Sequence, residues 1–158
     1  MRTNFKLFFL FILIYFNFQL NLKSDDFYFE GQEIQILNEG NKLLSKKGVK
    51  ITSNDDLVFK GNEFEYDKLL QELILSDNVI IIDSKKNIKI KTNKLIYLKK
   101  DQKILTQDLT NINIKDKYII KSENIIFDRS KGILSSDNNT SIKDEFNNEL
   151  ISSEFKFF

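Results

Sequence analysis

The chain has 158 residues, 41% hydrophobic and 30% charged, enough apolar content for the core of one domain. Its net charge of +1, with lysine and glutamate interleaved, provides no clustered basic face of the kind nucleic acid selects. It contains no cysteine, histidine or tryptophan, which excludes a disulfide framework, zinc sites of the usual kind and Ser-His or Cys-His nucleophile pairs, and its five glycines form no Walker-type or GxGxxG loop.

The amino terminus is a separate object. Arg2 and Lys6 form a short positive start, Leu7 to Phe16 is wholly apolar or aromatic, and Asn17, Gln19 and Asn21 dilute the run before Lys23-Ser24-Asp25-Asp26. A basic start before an apolar run of about ten residues fits a secretory h-region, whereas a spanning helix needs about twenty. Residues 1–24 therefore read as an export signal cleaved after Ser24, or as an uncleaved anchor whose hydrophobic helix contacts a membrane through residues 5–22. Residues 25–158 form the exported domain.

From Phe27 the sequence repeats about every thirty residues, the mark of a supersecondary unit that must stack on its neighbours. Each copy carries an apolar quartet at fixed offsets: Phe27, Phe29, Ile34, Ile36; Leu57, Phe59, Phe64, Tyr66; Ile88, Ile90, Leu95, Tyr97; Tyr118, Ile120, Ile125, Phe127. A fifth, Asn148, Leu150, Phe155, Phe157, follows. Within each pair, alternation with polar residues is the signature of a half-buried strand. The step from second to third member is always five, and an odd step on one straight strand would reverse the face, so a bulge, bend or corner is expected there. Return strands are expected at Leu43, Leu73, Ile104 and Leu134, at Val49, Val79, Thr110 and Thr140, and at Ile51, Ile81, Ile112 and Ile142. Polar clusters at 54–56, 84–87 and 115–117, and at 67–68, 99–101 and 128–132, read as turns. Short strands with evenly spaced turns make the domain all-β.

Candidate chemistry is sparse. The carboxylate pairs Asp25-Asp26 and Asp55-Asp56 fall in turn-like, lysine-rich segments and read as solvated turns. The doublets Lys46-Lys47, Lys85-Lys86 and Lys99-Lys100 suit solubilised loop tips, with attraction to phosphate or anionic headgroups as the alternative. No catalytic residue, metal or cofactor is implied, and the chain reads as a non-enzyme.

The motifs Gly48-Val49-Lys50-Ile51, Asn62-Glu63-Phe64-Glu65-Tyr66-Asp67 and Asp77-Asn78-Val79-Ile80-Ile81-Ile82-Asp83, in this order, with Phe29-Glu30-Gly31 before them and Asn93-Lys94-Leu95-Ile96-Tyr97 after, resemble the OstA-like domain family of lipopolysaccharide-transport proteins (LptA, LptC and the amino-terminal domain of LptD). The resemblance covers roughly Phe27 to Phe157. It implies a β-jellyroll, a twisted, V-shaped sandwich of two antiparallel sheets whose apolar groove shields acyl chains of lipopolysaccharide. It further implies stacking of such domains through edge strands into a periplasmic bridge for outer-membrane biogenesis. Under it the lipid-binding residues are Ile51, Phe59, Phe64, Tyr66, Ile81, Ile90, Leu95, Tyr97, Ile112, Ile120, Ile125 and Phe127, with tyrosine hydroxyls at the polar mouth and no charge buried in the groove. Phe27, Phe29, Phe155 and Phe157 belong to the docking edges. The partners implied are lipopolysaccharide and other jellyrolls of the bridge, the location the periplasm or the envelope membrane.

Any one of these inward residues also reads as plain sandwich core. Two other classes of function remain open on the residues alone: an exported β-repeat scaffold or adhesin with a dry core and no lipid ligand, and an exported enzyme with two carboxyl groups facing across a cleft. Bridge component, anchored subunit and amino-terminal piece of an outer-membrane translocon are equally compatible with the sequence.

Overall fold

The structure, a computed structural model, describes residues 27–158; the expectations for residues 1–24 lie outside the described residues. Sixteen strands follow one another: β1 (Phe27–Gly31), β2 (Gln35–Leu37), β3 (Lys42–Ser45), β4 (Val49–Ser53), β5 (Leu57–Gly61), β6 (Glu63–Asp67), β7 (Glu72–Asp83) and β8 (Ile88–Leu98). Then come β9 (Lys103–Gln107), β10 (Leu109–Ile114), β11 (Tyr118–Glu123), β12 (Ile126–Asp128), β13 (Ile133–Ser136), β14 (Thr140–Asp144), β15 (Glu149–Ser152) and β16 (Phe155–Phe157). All pairings are antiparallel, as in a β-jellyroll.

Two sheets share β7 and β8. The first runs β1-β4-β5-β7-β8-β10-β11-β14-β15; the second runs β2-β3-β6-β7-β8-β9-β12-β13-β16. The odd step of the repeat is the crossing between them. Leu57 and Phe59 lie on β5 in the first sheet, Phe64 and Tyr66 on β6 in the second, and Tyr118 and Ile120 hand over to Ile125 and Phe127 in the same way. The parity break therefore keeps both pairs of a quartet facing one interior.

Strands β7 and β8, of 12 and 11 residues, are longer than the short strands expected and pass through the corner unbroken, by the kind of bend or bulge expected there. Their register slips between Ser76 and Val79, where Asp77 (φ 61°) and Asn78 (φ 55°) hold left-handed backbone. A bulge bends a strand and keeps its ladder on both sides, so a crossing does not require an interruption. Asp108 (φ 65°) and Asn124 (φ 49°) occupy left-handed backbone at two further crossings, in keeping with the tolerance of Asp and Asn for that region.

The cross-strand register lines the apolar positions into rows. In the first sheet Phe29, Ile51, Phe59, Ile81, Ile90, Ile112, Ile120, Ile142 and Leu150 are successive partners. In the second, Ile36, Leu43, Tyr66, Leu73, Tyr97, Ile104, Phe127, Leu134 and Phe157 form the matching row. Most of both rows is buried in a single core cluster, and only the end members Ile36 (67%) and Leu150 (62%) are largely exposed. Contact between the two faces removes apolar surface worth about 25 cal/mol per Å², the main force holding the sheets together.

Candidate functional site

The interior between the sheets is the feature the sequence singles out. All twelve candidate groove residues meet there: Ile51, Phe59, Leu95, Tyr97, Ile120, Ile125 and Phe127 have no exposed surface, and Phe64, Tyr66, Ile81, Ile90 and Ile112 retain 1–4%. The residues named for the docking edges divide. Phe27 and Phe29 lie on β1 and Phe155 and Phe157 on β16, each strand paired on one side only, yet their rings turn inward: Phe27 and Phe155 are buried, Phe29 and Phe157 half-buried. What these edges present outward is backbone.

Aromatic rings cross-link the sheets near the amino-terminal edge. Phe27 of β1 meets Tyr66 of β6 edge-on at 5.1 Å, Phe29 stacks on Phe64 at 5.3 Å, and Phe59 tilts against Tyr97 at 5.3 Å. Such pairs add about 0.5–1.5 kcal/mol each beyond the area they bury. At the opposite end the packing thins: Tyr118 of β11 reaches Phe157 of β16 at 5.7 Å, while Leu150, Ile151, Phe146 and Phe158 are 62–81% exposed. The clefts found among the described residues, about 200–490 Å³, sit on the outer faces and margins, lined by residues such as Lys89, Asn113 and Asp137. The two inner rows meanwhile pack against one another.

The corners are polar inside. The column that begins as Val49 and Val79 continues as Thr110 and Thr140, and these threonines are fully buried. The Ile125 amide donates to Thr106 Oγ1 (3.0 Å), Thr106 and Thr110 hydroxyls lie 2.8 Å apart, Thr110 and Thr92 3.0 Å apart, and Thr92 donates to the Gln107 carbonyl (2.9 Å). A hydroxyl both donates and accepts, so each member of this chain can serve the groups on either side of it. Thr140 and Ser122 form a second such pair at 2.8 Å, and Ser136 donates to the Glu123 carbonyl at 2.6 Å. Crossing from sheet to sheet leaves backbone groups without ladder partners, and the hydroxyls satisfy them.

The expectation that the interior holds no buried charge is corrected on the side away from the corners. Arg129, in the β12–β13 turn of the second sheet, donates from Nε to Asp83 Oδ2 at the end of β7 in the first sheet (2.8 Å), and from Nη2 to the Asp55 carbonyl (3.0 Å). Their side chains are 5% and 2% exposed. The Tyr97 hydroxyl lies beneath this pair, fully buried and without a hydrogen-bond partner among the described residues. Burial pushes its pKa up, with the Arg129 charge pulling the other way. A tyrosine hydroxyl thus does point toward the margin, but under a polar seal and not in water.

Sequence reasoning missed this pair. The available signal was composition: the chain has 22 lysines and two arginines, Arg2 and Arg129. Arginine placed once in a lysine-rich domain marks a site that needs a planar, multiply donating cation which stays charged when buried.

No protein-family model matches the chain, and no curated protein matches it in sequence. Among solved structures it is similar to LptH of Pseudomonas aeruginosa, described as the LptA-homologous periplasmic component of the conserved lipopolysaccharide transport device. The TM-score is 0.61 at 11% identity over 68% of this chain and 79% of that one. The fold is LptA-like.

Proposed function

We propose that this chain is a non-enzymatic component of lipopolysaccharide transport, acting in the periplasm. In this reading acyl chains lie between the two sheets, and neighbouring jellyrolls dock through the one-sided edges β1, β2, β15 and β16. The observation that carries it is the pair of nine-residue apolar rows running the whole length of the sandwich to open edges at both ends. The LptA-like fold supports it. A continuous apolar path is what a sliding acyl chain requires, and cover of several methylenes at about 0.8 kcal/mol each is ample for retention. The two rows pack against one another, so lipid would part the sheets on entering.

In-cell photo-crosslinking tests the reading, with a photoreactive residue at Tyr66, at Phe157 and, as an outward control, at the exposed Lys89. Lipopolysaccharide adducts at Tyr66 and Phe157 but not at Lys89 are expected. Folded, exported protein without adducts at either inward site would overturn the conduit and favour the dry scaffold, which the close packing of the interior otherwise suits.

A further inference from the structure

We propose that Arg129 and Asp83 form a clasp across the open side of the sandwich, and that its release is the step that lets an acyl chain between the sheets. The proposal rests on the lipid-conduit reading and adds the gate to it. The corners join the sheets along one side. On the other side the turns of the first sheet face those of the second, and among the described residues no strand runs continuously from one to the other. The clasp spans that gap, joining residues 46 apart in sequence through the side chain of Asp83 and 74 apart through the Asp55 carbonyl.

Its position is that of a lid. Outside lies a polar cleft of about 360 Å³ whose lining includes Asn54, Asp56, Lys86 and Ser130. Inside lies the buried Tyr97 hydroxyl, the inner row behind it. The ion pair therefore stands between water and the apolar interior. The turns that present both partners are themselves braced: around Arg129 the Ser130 hydroxyl and the Lys131 amide both donate to Asp128 Oδ1 (2.7 and 3.1 Å), and after β7 the Lys86 amide donates to Asp83 Oδ1 (3.0 Å).

The chemistry suits a closure that must reopen. A buried ion pair regains hydration of both charges when its partners separate, so the Coulombic attraction lost on opening is largely offset, whereas an apolar seal of the same size regains nothing. Closed and parted states thus lie near in free energy, as a gate requires. Removing one partner has the opposite character from replacing both. Arg129→Met leaves Asp83 buried and uncompensated, which favours the parted state. Asp83→Leu combined with Arg129→Met substitutes an apolar seal and favours the closed one.

The test uses the purified full chain as wild type, Arg129→Met and the double variant. Amide hydrogen exchange is compared between the facing turns (54–56, 84–87, 129–132) and the corners (76–79, 108–110, 122–125), alongside the uptake rate of a fluorescent long-chain fatty acid. Arg129→Met is expected to speed exchange at the turns by about tenfold with little change at the corners, and to speed uptake; the double variant is expected to return both to wild-type rates or below. Equal acceleration at turns and corners in Arg129→Met, or uptake by the double variant as fast as by the single, would overturn the gate. If Arg129→Met does not fold, the double variant decides alone: uptake at or above the wild-type rate overturns the proposal, and slower uptake with protected turns supports it. Absence of uptake by every form, wild type included, would refute the conduit reading and with it the gating role, while turn-specific exchange would separately report whether the pair closes the margin.

Discussion

Thr110 shows how little a single side chain must change for the repeat to turn from core to corner. Valine stands at the same offset in two other copies, at 49 and 79, and the isosteric threonine adds only a hydroxyl. That hydroxyl sits between Thr106 and Thr92, at 2.8 and 3.0 Å, and is the middle link of a chain that ends on the Gln107 carbonyl. Removing it strands buried neighbours on both sides, and a buried group left unsatisfied costs about 1–3 kcal/mol. Thr110→Val should therefore destabilise the domain by about that amount in urea unfolding, although it restores the residue found in the other copies. Thr110→Ser, which keeps the hydroxyl and loses one methyl, should cost less. A neutral Thr110→Val would mean that the chain is not needed to satisfy the corner.

At the scale of elements, the turn after β12 is set by Asp128, which accepts from the Ser130 hydroxyl and the Lys131 amide and pairs with Lys131 Nζ at 3.3 Å. The Ser130 hydrogen bond, followed by that of the Lys131 amide, lowers the carboxyl from its ordinary value of 3.8 to about 2. A folded-state pKa below the unfolded one contributes stability that is complete above about pH 4 and is lost as the pH falls through about 2. Asp144 and Glu149 are lowered in the same direction, chiefly by the side chains of Asn148 and Ser141. Thermal midpoints measured from pH 5 to pH 2 should fall less steeply for Asp128→Asn than for the wild type, the difference developing below about pH 4; parallel curves would remove Asp128 from the acid response.

Elements were also where the sequence was most readable. The five-residue step from Phe59 to Phe64, or Ile120 to Ile125, located the crossings because parity along a strand is a local property that each residue's face must obey. The inward set of apolar residues followed from it, whereas the jellyroll itself was implied by the family resemblance. The length of β7 was not legible: Leu73, Leu75, Val79 and Ile81 keep one parity throughout, and the polar pair Asp77-Asn78 between them reads equally as the end of a strand or as a bulge within one. The clasp was not legible either: Asp83 and Arg129 belong to different sheets, and their meeting depends on how those sheets lie across one another, which no local spacing encodes.

For the whole molecule, the uneven packing from one end to the other bears on assembly. Near β1 the interior is filled by aromatic contacts between the sheets, whereas at β15 and β16 the apolar side chains of Phe146, Leu150, Ile151 and Phe158 lie exposed beside strands paired on one side only. A one-sided strand offers unpaired backbone groups, and exposed apolar residues beside it favour pairing with another strand. Single strand-to-strand docking of this kind buries little area, so the association should be weak and concentration-dependent. Sedimentation velocity over a range of concentrations should show reversible self-association of the wild type. Lysine at both Leu150 and Ile151 places charge on both faces of β15, where an edge-to-edge neighbour would have to accommodate it, and should shift the equilibrium toward monomer with the fold retained. A wild type that stays monomeric throughout, or association untouched by the two lysines, would remove this edge from any proposed bridge and leave β1 and β2 as the edges to test.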